Sequence, residues 1–193
     1  MRLGGCLTFV RGALPEQIIE ALGMDPAAAQ MLPAATVSEW LLPGGPPRVR
    51  AGRAGNWAFA IEEVTLLGLT ENVARRMSRG TQAVDVFWTA KPSSGVRYLA
   101  DQTLVTAFEP GMEWDRAGSE PDRFVREMSK TGLRIERPAP RLASRRRDQE
   151  EERWHPRRDP LIASLQMLTL ALGIRLPEEV ARGPLLTAQS DSR

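Results

Sequence analysis

Cys6 and His155 are the only cysteine and the only histidine in the chain, so the sequence offers one thiol and one imidazole. The usual zinc sites combine several Cys or His ligands at short spacing, and these two residues lie far apart in sequence. A Cys-His or Ser-His mechanism would recruit His155 from a charged segment that is a poor platform for a base. Cys6 lies in the apolar run "CLTFV", which predicts a small buried side chain rather than a thiolate. We therefore expect no zinc site, and no residue is assigned as a metal ligand.

Carboxylates leave a second kind of chemistry open, either a general acid and base pair or a divalent cation site. The acidic candidates are Glu62, Glu63, Asp85, Asp101, Glu109, Glu113 and Asp115. No pair among them has a diagnostic spacing, so surface and turn positions are predicted for most of them. A carboxylate-dependent enzyme would need two or more of these groups to converge in one cleft with perturbed titration.

Two glycine-containing loops, "GRAGNW" and "LPGGPPR", could in principle approach a phosphate. Neither matches a P-loop, and no G-x-G-x-x-G follows a strand and opens a helix. The sequence therefore predicts no nucleotide and no other cofactor.

The segment "RRRDQEEERWHPRRD", residues 145–159, carries six arginines and five acidic residues and is nearly neutral. A nucleic-acid arm needs an uncompensated basic run that displaces counterions from phosphates. The whole chain has 26 Lys and Arg against 24 Asp and Glu, which gives only a weak overall field. We expect a solvated linker or exposed helix here, or a segment that binds a charged partner, and no nucleic acid.

Tryptophans supply the candidate binding residues. Trp114 lies in the polar loop "EPGMEWDRAG", and aromatic residues beside arginines are enriched at binding hot spots. This pattern predicts that Trp114, Asp115 and Arg116 contribute to a recognition surface. Trp57 and Trp88 lie on apolar strand faces and are predicted core residues. Together with Tyr98 they could also line a pocket between sheet and helices.

The elements that must position these residues follow from the apolar patterns. Period-2 alternation predicts strands in "CLTFV", "NWAFAIEE" and "QAVDVFWTA", and "VRYLADQTLVTAFEP" predicts two strands joined by a tight turn at Asp101 and Gln102. Helical spacing and end signals predict helices near residues 15–22, 71–79, 120–131, 159–172 and 177–182. The fold class is α+β, with an antiparallel sheet of about four to six strands and helices packed mainly on one face.

Composition divides the chain into three parts. We predict an α+β core over residues 1–140, a charged, Pro-containing linker or insertion over 141–157, and C-terminal helices over 158–193 that dock on the same core. A single cysteine permits no internal disulfide, and no stretch reaches the roughly 20 apolar residues that a membrane helix needs. A cytoplasmic protein that does not enter the membrane is expected.

The ordered segments "CLTFVRG", "GNWAFAIEE", "GTQAVDVFW", "VRYLADQTLVTAFEP", "GSEPDRF" and "GIRLPEEVARGPLLTA" resemble a family of uncharacterised proteins of high-GC soil bacteria, classed as a domain of unknown function. The resemblance covers about residues 6–188, with 141–158 as a variable insertion. It implies a compact intracellular α+β domain, and it brings no catalytic residues to this chain.

These observations favour a non-catalytic interaction module of the binding, regulatory or immunity type, with another protein as its partner. A small-molecule-binding protein and a carboxylate-dependent enzyme remain alternatives. An exposed Trp114 on a flat surface would favour the first, a deep cavity beside Trp57, Trp88 or Tyr98 the second, and converging acids the third.

Overall fold

The fold is described from a computed structural model that covers residues 4–38, 46–89, 93–137 and 159–190. Its centre is an eight-stranded antiparallel sheet with the strand order β2-β8-β3-β4-β1-β5-β6-β7. The strands are β1 (Gly5–Arg11), β2 (Gln30–Leu32), β3 (Arg48–Ala54), β4 (Trp57–Glu63), β5 (Gln82–Trp88), β6 (Ser94–Ala100), β7 (Thr103–Phe108) and β8 (Leu185–Gln189). The α-helices are α1 (Pro15–Ala21), α2 (Ala34–Ser38), α3 (Glu71–Ser78), α4 (Val125–Thr131), α5 (Pro160–Leu172) and α6 (Glu178–Arg182).

Both faces of the sheet are buried, each by its own helices. On one face the large apolar side chains of β1, β4 and β5 pack with Met128 of α4 and with Met167 and Leu168 of α5. On the other face small side chains of the same strands pack with Ile18 of α1 and Met77 of α3. The strands therefore lie between two helical layers, because successive side chains of a strand point to opposite faces.

Large and small side chains alternate along β4 in a way that fits these two layers. Trp57 and Phe59 belong to the core that α4 and α5 cover, whereas Ala58 and Ala60 belong to the core beneath α1. Small residues on that second face let a helix approach the strands closely. The prediction that helices pack mainly on one face was wrong, because α1 and α3 cover the face opposite to the one that α4 and α5 cover.

The α+β class and the antiparallel sheet are confirmed, but the sheet has eight strands rather than four to six. The strands β2, β3 and β8 were not predicted. In β3 the sequence "RVRAGRA" lacks large apolar residues. A Cβ atom on Gly52 would lie 2.7 Å from Leu185 Cδ2 and 2.9 Å from Phe59 Cζ, so glycine at this position leaves room for both side chains.

The predicted hairpin between β6 and β7 has its turn at Asp101 and Gln102, with φ of 43° and 67°. Positive φ at both central residues matches the right-handed twist of the flanking strands. The helix predicted from residue 120 begins at Val125 instead, after a run of turns.

The predicted linker 141–157 and His155 lie outside the described residues. After this segment, α5 begins where the Asp159 side chain accepts a hydrogen bond from Leu161 N at 2.9 Å. It ends at Gly173, whose φ of 70° is left-handed, as glycine favours at a helix end. Among the described helices, none is long and apolar enough to cross a membrane.

Candidate functional site

Four polar side chains, Thr8, Glu62, Asp85 and Arg97, meet on the sheet face that carries α1 and α3; we call them the buried polar network. The first three are at most 1% exposed. They lie on β1, β4, β5 and β6 respectively; Thr8, Asp85 and Arg97 each have apolar neighbours on both sides in the sequence, whereas Glu62 is followed by Glu63 at the end of β4. Buried polar groups cost stability unless they are hydrogen-bonded, so their partners decide what this site can do.

Asp85 is the acceptor at the centre of the buried polar network. Its Oδ1 accepts a hydrogen bond from Thr8 Oγ1 at 2.9 Å, and its Oδ2 accepts one from an Arg97 guanidinium nitrogen at 2.7 Å. Arg97 also donates to the carbonyl oxygens of Gly68 at 3.1 Å and Leu69 at 2.9 Å. The guanidinium thereby joins the sheet to the 3-10 turn Leu67–Leu69.

Glu62 holds the same turn through three donors. Its carboxylate accepts hydrogen bonds from Leu67 N at 2.6 Å, Gly68 N at 2.8 Å and Thr65 Oγ1 at 2.9 Å. A carboxylate that receives two backbone N–H groups fixes the position of the turn over the sheet.

Gly68 lies directly above the buried polar network. A Cβ atom at this position would lie 2.7 Å from Thr8 Oγ1 and 2.8 Å from Glu62 Oε1, and 3.7 Å from Asp85 Oδ1. Only glycine fits without displacing groups that are already hydrogen-bonded. The two carboxylates therefore converge on one point, and the backbone of Gly68 closes that point from above.

Burial dominates the electrostatics here. It raises the pKa of Glu62, against the hydrogen bonds from the 3-10 turn, and it raises the pKa of Asp85, against the attraction of Arg97. The pKa of the Cys6 thiol is raised well above its usual range, first by burial and then by repulsion from Asp85 and Glu62. Such groups can hold protons, but they are covered by backbone.

Two acids on the carboxylate list thus do converge, although in the interior rather than in an open cleft. Glu113, a third, is buried elsewhere, and Asp101, Glu109 and Asp115 are exposed. Within the described residues no group of three or more His, Cys, Asp or Glu side chains could hold a metal ion.

The predicted recognition residues lie together in one loop, around the 3-10 turn Glu113–Asp115. Trp114 is half-buried and Asp115 is exposed. Arg116 points inward: its side chain is only 15% exposed, and it donates to Asp122 Oδ1 at 2.7 Å, to Glu113 O at 3.0 Å and to Ile135 O at 3.1 Å.

Glu113 holds this loop in place through buried hydrogen bonds. From the sequence it was named only as one of the acidic candidates. It is 1% exposed, and its carboxylate accepts hydrogen bonds from Gly111 N at 2.7 Å and from Arg134 N at 3.2 Å. Together with Arg116 it ties residues 111–116 to the segment that follows α4.

The predicted pocket residues lie on the face covered by α4 and α5. Trp57 and Tyr98 are 4% and 2% exposed, within the packed core, and the Tyr98 ring lies 5.2 Å from that of Phe124. Trp57 Nε1 donates to Leu172 O at 3.3 Å. Trp88 is half-buried at the C-terminal end of β5, and its ring lies against Gly5 of β1.

Sequence reasoning missed Thr8 and Arg97. The signal that could have revealed them is a polar side chain in the middle of an apolar strand: threonine in "CLTFV" and arginine in "GVRYLA". The same signal, in "VDV", marks Asp85.

The fold and the buried polar network define an α+β protein in which an antiparallel sheet lies between two helical layers. The chain belongs to a family of unknown function, DUF6461, whose profile matches residues 46–181. The resemblance to an uncharacterised family is thereby confirmed. No match was found among curated proteins or among solved structures.

Proposed function

We propose that the protein is a non-catalytic protein-interaction module whose contact surface is the loop of residues 111–116. One observation carries the proposal: the loop is held from inside by two charged residues, Glu113 and Arg116, while Met112 and Asp115 remain exposed.

The internal hydrogen bonds support a preformed binding surface. Binding costs free energy when loops and side chains must be ordered, and a loop already fixed in its bound shape avoids much of that cost. The carbonyl groups of Glu113 and Ile135 and the carboxylate of Asp122 all accept from Arg116. Arg116 is therefore a support of the proposed surface, and its neighbours make the contacts.

The exposed chemistry of the loop indicates what it would bind. Met112 is 42% exposed and Trp114 half-exposed, and the exposed carboxylates of Glu109 and Asp115 border them. Apolar anchors surrounded by charges are typical of interaction hot spots. The matching partner is a protein with an apolar pocket bordered by lysine or arginine side chains.

The surface continues toward α5. A Cβ atom on Gly111 would be in van der Waals contact with Pro160 Cγ, at 3.9 Å, so the loop lies against the start of this helix. Ile162, two residues further on, is 51% exposed. An apolar side chain of α5 can thus extend the area that the partner buries.

The state of the buried carboxylates supports binding over carboxylate catalysis. Glu62 and Asp85 are the acids that come together, and both are engaged by backbone or side-chain donors beneath Gly68. A general acid or base needs hydrogen-bond access to a substrate. In this arrangement Glu62 holds the 3-10 turn directly, and Asp85 holds it through Arg97.

The test is capture of partners from native cells with tagged protein, followed by native mass spectrometry. We expect a stoichiometric protein partner that is retained by Met31→Ala and lost with Met112→Ala combined with Trp114→Ala. Met31 is the matched control, because it is 61% exposed on the edge strand β2. Retention of the partner by both variants, or recovery of a bare protein, would reject the proposed surface. Circular dichroism would show that each variant is folded.

A further inference from the structure

A cavity of about 390 Å³ lies at the corner of the sheet where β2 and β3 begin and β8 ends; we call it the corner cavity. Its polar lining residues are Asp25, Gln30, Arg48, Thr187 and Gln189. In the strand order this corner lies at the end opposite to β7, the strand that precedes the loop 111–116. None of Trp57, Trp88 and Tyr98 lines it, so it is not the pocket that the sequence predicted.

The sheet register shows which face the corner cavity occupies. Thr187 has Gln30 of β2 as its partner on one side and Arg50 of β3 on the other. Leu185, two residues earlier on β8, belongs to the core that α4 and α5 cover. Side chains two residues apart on a strand, and cross-strand partners, point to the same side of a sheet. Gln30, Thr187 and Arg50 therefore form a polar row on that face.

A second polar row follows at the very end of the strands. Arg48 and Gln189 are cross-strand partners there, and both line the cavity. Asp25 adds a carboxylate from the segment that leads into β2. Its Oδ1 accepts a hydrogen bond from Ala27 N at 2.9 Å. The second carboxylate oxygen can accept from a ligand.

The charges at this corner balance. Arg50 is 2% exposed and donates to Gly183 O at 3.0 Å. Burial lowers the pKa of the Arg50 guanidinium, and the charge of Glu63 opposes this shift. Within the described residues, Arg50 Nε and Glu63 Oε2 are buried without a hydrogen-bond partner. With Arg48 and Asp25 the corner holds two guanidinium groups and two carboxylates, a balance that suits a ligand of no net charge.

We propose that the corner cavity binds a free α-amino acid. A guanidinium group recognises a carboxylate through paired N–H donors, which assigns the ligand carboxylate to Arg48. Asp25 supplies the negative charge that attracts the ligand ammonium group. The remaining polar contacts come from the side chains of Gln30, Thr187 and Gln189. The volume lies at the lower end of ligand pockets, roughly 300–1,000 Å³, so it fits one small molecule.

Thermal unfolding of the full chain with each standard L-amino acid at about 10 mM tests the proposal. We expect at least one of them to raise Tm by about 2 °C or more, because a ligand that binds only the folded state stabilises it. Isothermal titration calorimetry should then show saturable binding of that amino acid. Its analogues that lack the ammonium or the carboxylate group should bind about tenfold more weakly or worse. The proposal is overturned if no amino acid raises Tm, or if either analogue binds as tightly as the amino acid.

Two variants locate the site. Arg48→Gln and Asp25→Asn should each weaken binding about tenfold, the usual effect of losing a hydrogen bond to a charged group. Asparagine keeps an oxygen that can accept from Ala27 N, so the local turn is preserved. Circular dichroism would show that both variants are folded.

Arg53→Gln is the matched control, since it removes the same charge from the same strand. Arg53 is exposed, and its partner Ala58 lies on the other face of the sheet. The affinity should change less than about twofold, because a charge outside the cavity is screened by salt. Equal weakening by Arg53→Gln and Arg48→Gln would also overturn the proposal. Partner capture through the loop 111–116 would be unaffected by any of these results.

Discussion

Thr8 and Asp85 are direct cross-strand partners on β1 and β5, and the Thr8 hydroxyl donates to the Asp85 carboxylate at 2.9 Å. Arg97 is the partner of Asp85 on the next strand, β6. The three side chains therefore form a row across three neighbouring strands, at the spacing where cross-strand pairs interact. This row is the part of the buried polar network that the sheet register itself creates.

Replacement of Thr8 by valine keeps the side-chain shape and removes the hydroxyl donor. The free energy of unfolding should fall by about 1–3 kcal/mol, because a buried carboxylate loses one of its hydrogen bonds. Urea unfolding followed by circular dichroism measures this. Thr103→Val, at an exposed position of β7, is the control and should stay within about 0.5 kcal/mol of the parent protein. Equal effects at both positions would show that the hydrogen bond contributes nothing.

Replacement of Arg97 by methionine should cost more than the loss of Thr8. Asp85 would then be buried without its cationic partner, and breaking such a pair costs about 3 kcal/mol or more. Arg123→Met removes an arginine from the exposed pair with Glu120, so its effect should remain below about 1 kcal/mol. The comparison uses the midpoint and slope of urea unfolding. A smaller loss with Arg97→Met than with Arg123→Met would contradict the assigned role of Arg97.

The raised pKa of Glu62 makes a signed prediction about pH. Burial raises its pKa in the folded state above the ordinary value of 4.5, so between these two values the folded protein holds more protons than the unfolded chain. The stability contributed by Glu62 is thus complete below pH 4.5 and is lost as the pH rises through the folded pKa. Glu62→Gln should flatten this decline in unfolding free energy above pH 4.5. If the parent protein instead gains stability relative to Glu62→Gln as the pH rises, the pKa of Glu62 is lowered in the folded state.

Cys6 should be unreactive in the folded protein. Its side chain is 0% exposed, and its pKa is raised, so the thiolate that attacks a disulfide reagent is scarcely formed. With an aromatic disulfide reagent at pH 8, we expect one thiol to react in concentrated urea and none over the same period in buffer. Complete labelling of the native protein at the rate of the unfolded chain would show that Cys6 is accessible.

Sequence patterns predicted the elements whose apolar residues are large and regularly spaced. The strand 57–63 and the helix 160–172 lie where alternation and leucine spacing placed them. The patterns failed for β3 and β8, whose pairing depends on distant partners: β8 pairs with Arg48–Ala51 of β3, far away in sequence. The residues of a strand do not by themselves indicate which distant strand it will pair with.

The buried polar network could be predicted only in part, for the same reason. Glu62 and Asp85 were recognised as acidic candidates, but their meeting requires β1 to lie between β4 and β5. Thr8 and Arg97 become informative only after this strand order is known. The loop residues Trp114, Asp115 and Arg116 were adjacent in sequence and therefore needed no topology to be found together.

The position of β8 between β2 and β3 has a consequence for synthesis on the ribosome. When β3 and β4 have emerged, the outer side of β3 still lacks its neighbour, which emerges more than a hundred residues later. During that interval β3 presents unpaired N–H and C=O groups of the kind that pair with other chains. Closing so long a loop is also slow relative to forming local hairpins. The nascent protein thus carries an unpaired strand edge, where another chain could pair, until residues 185–189 become available.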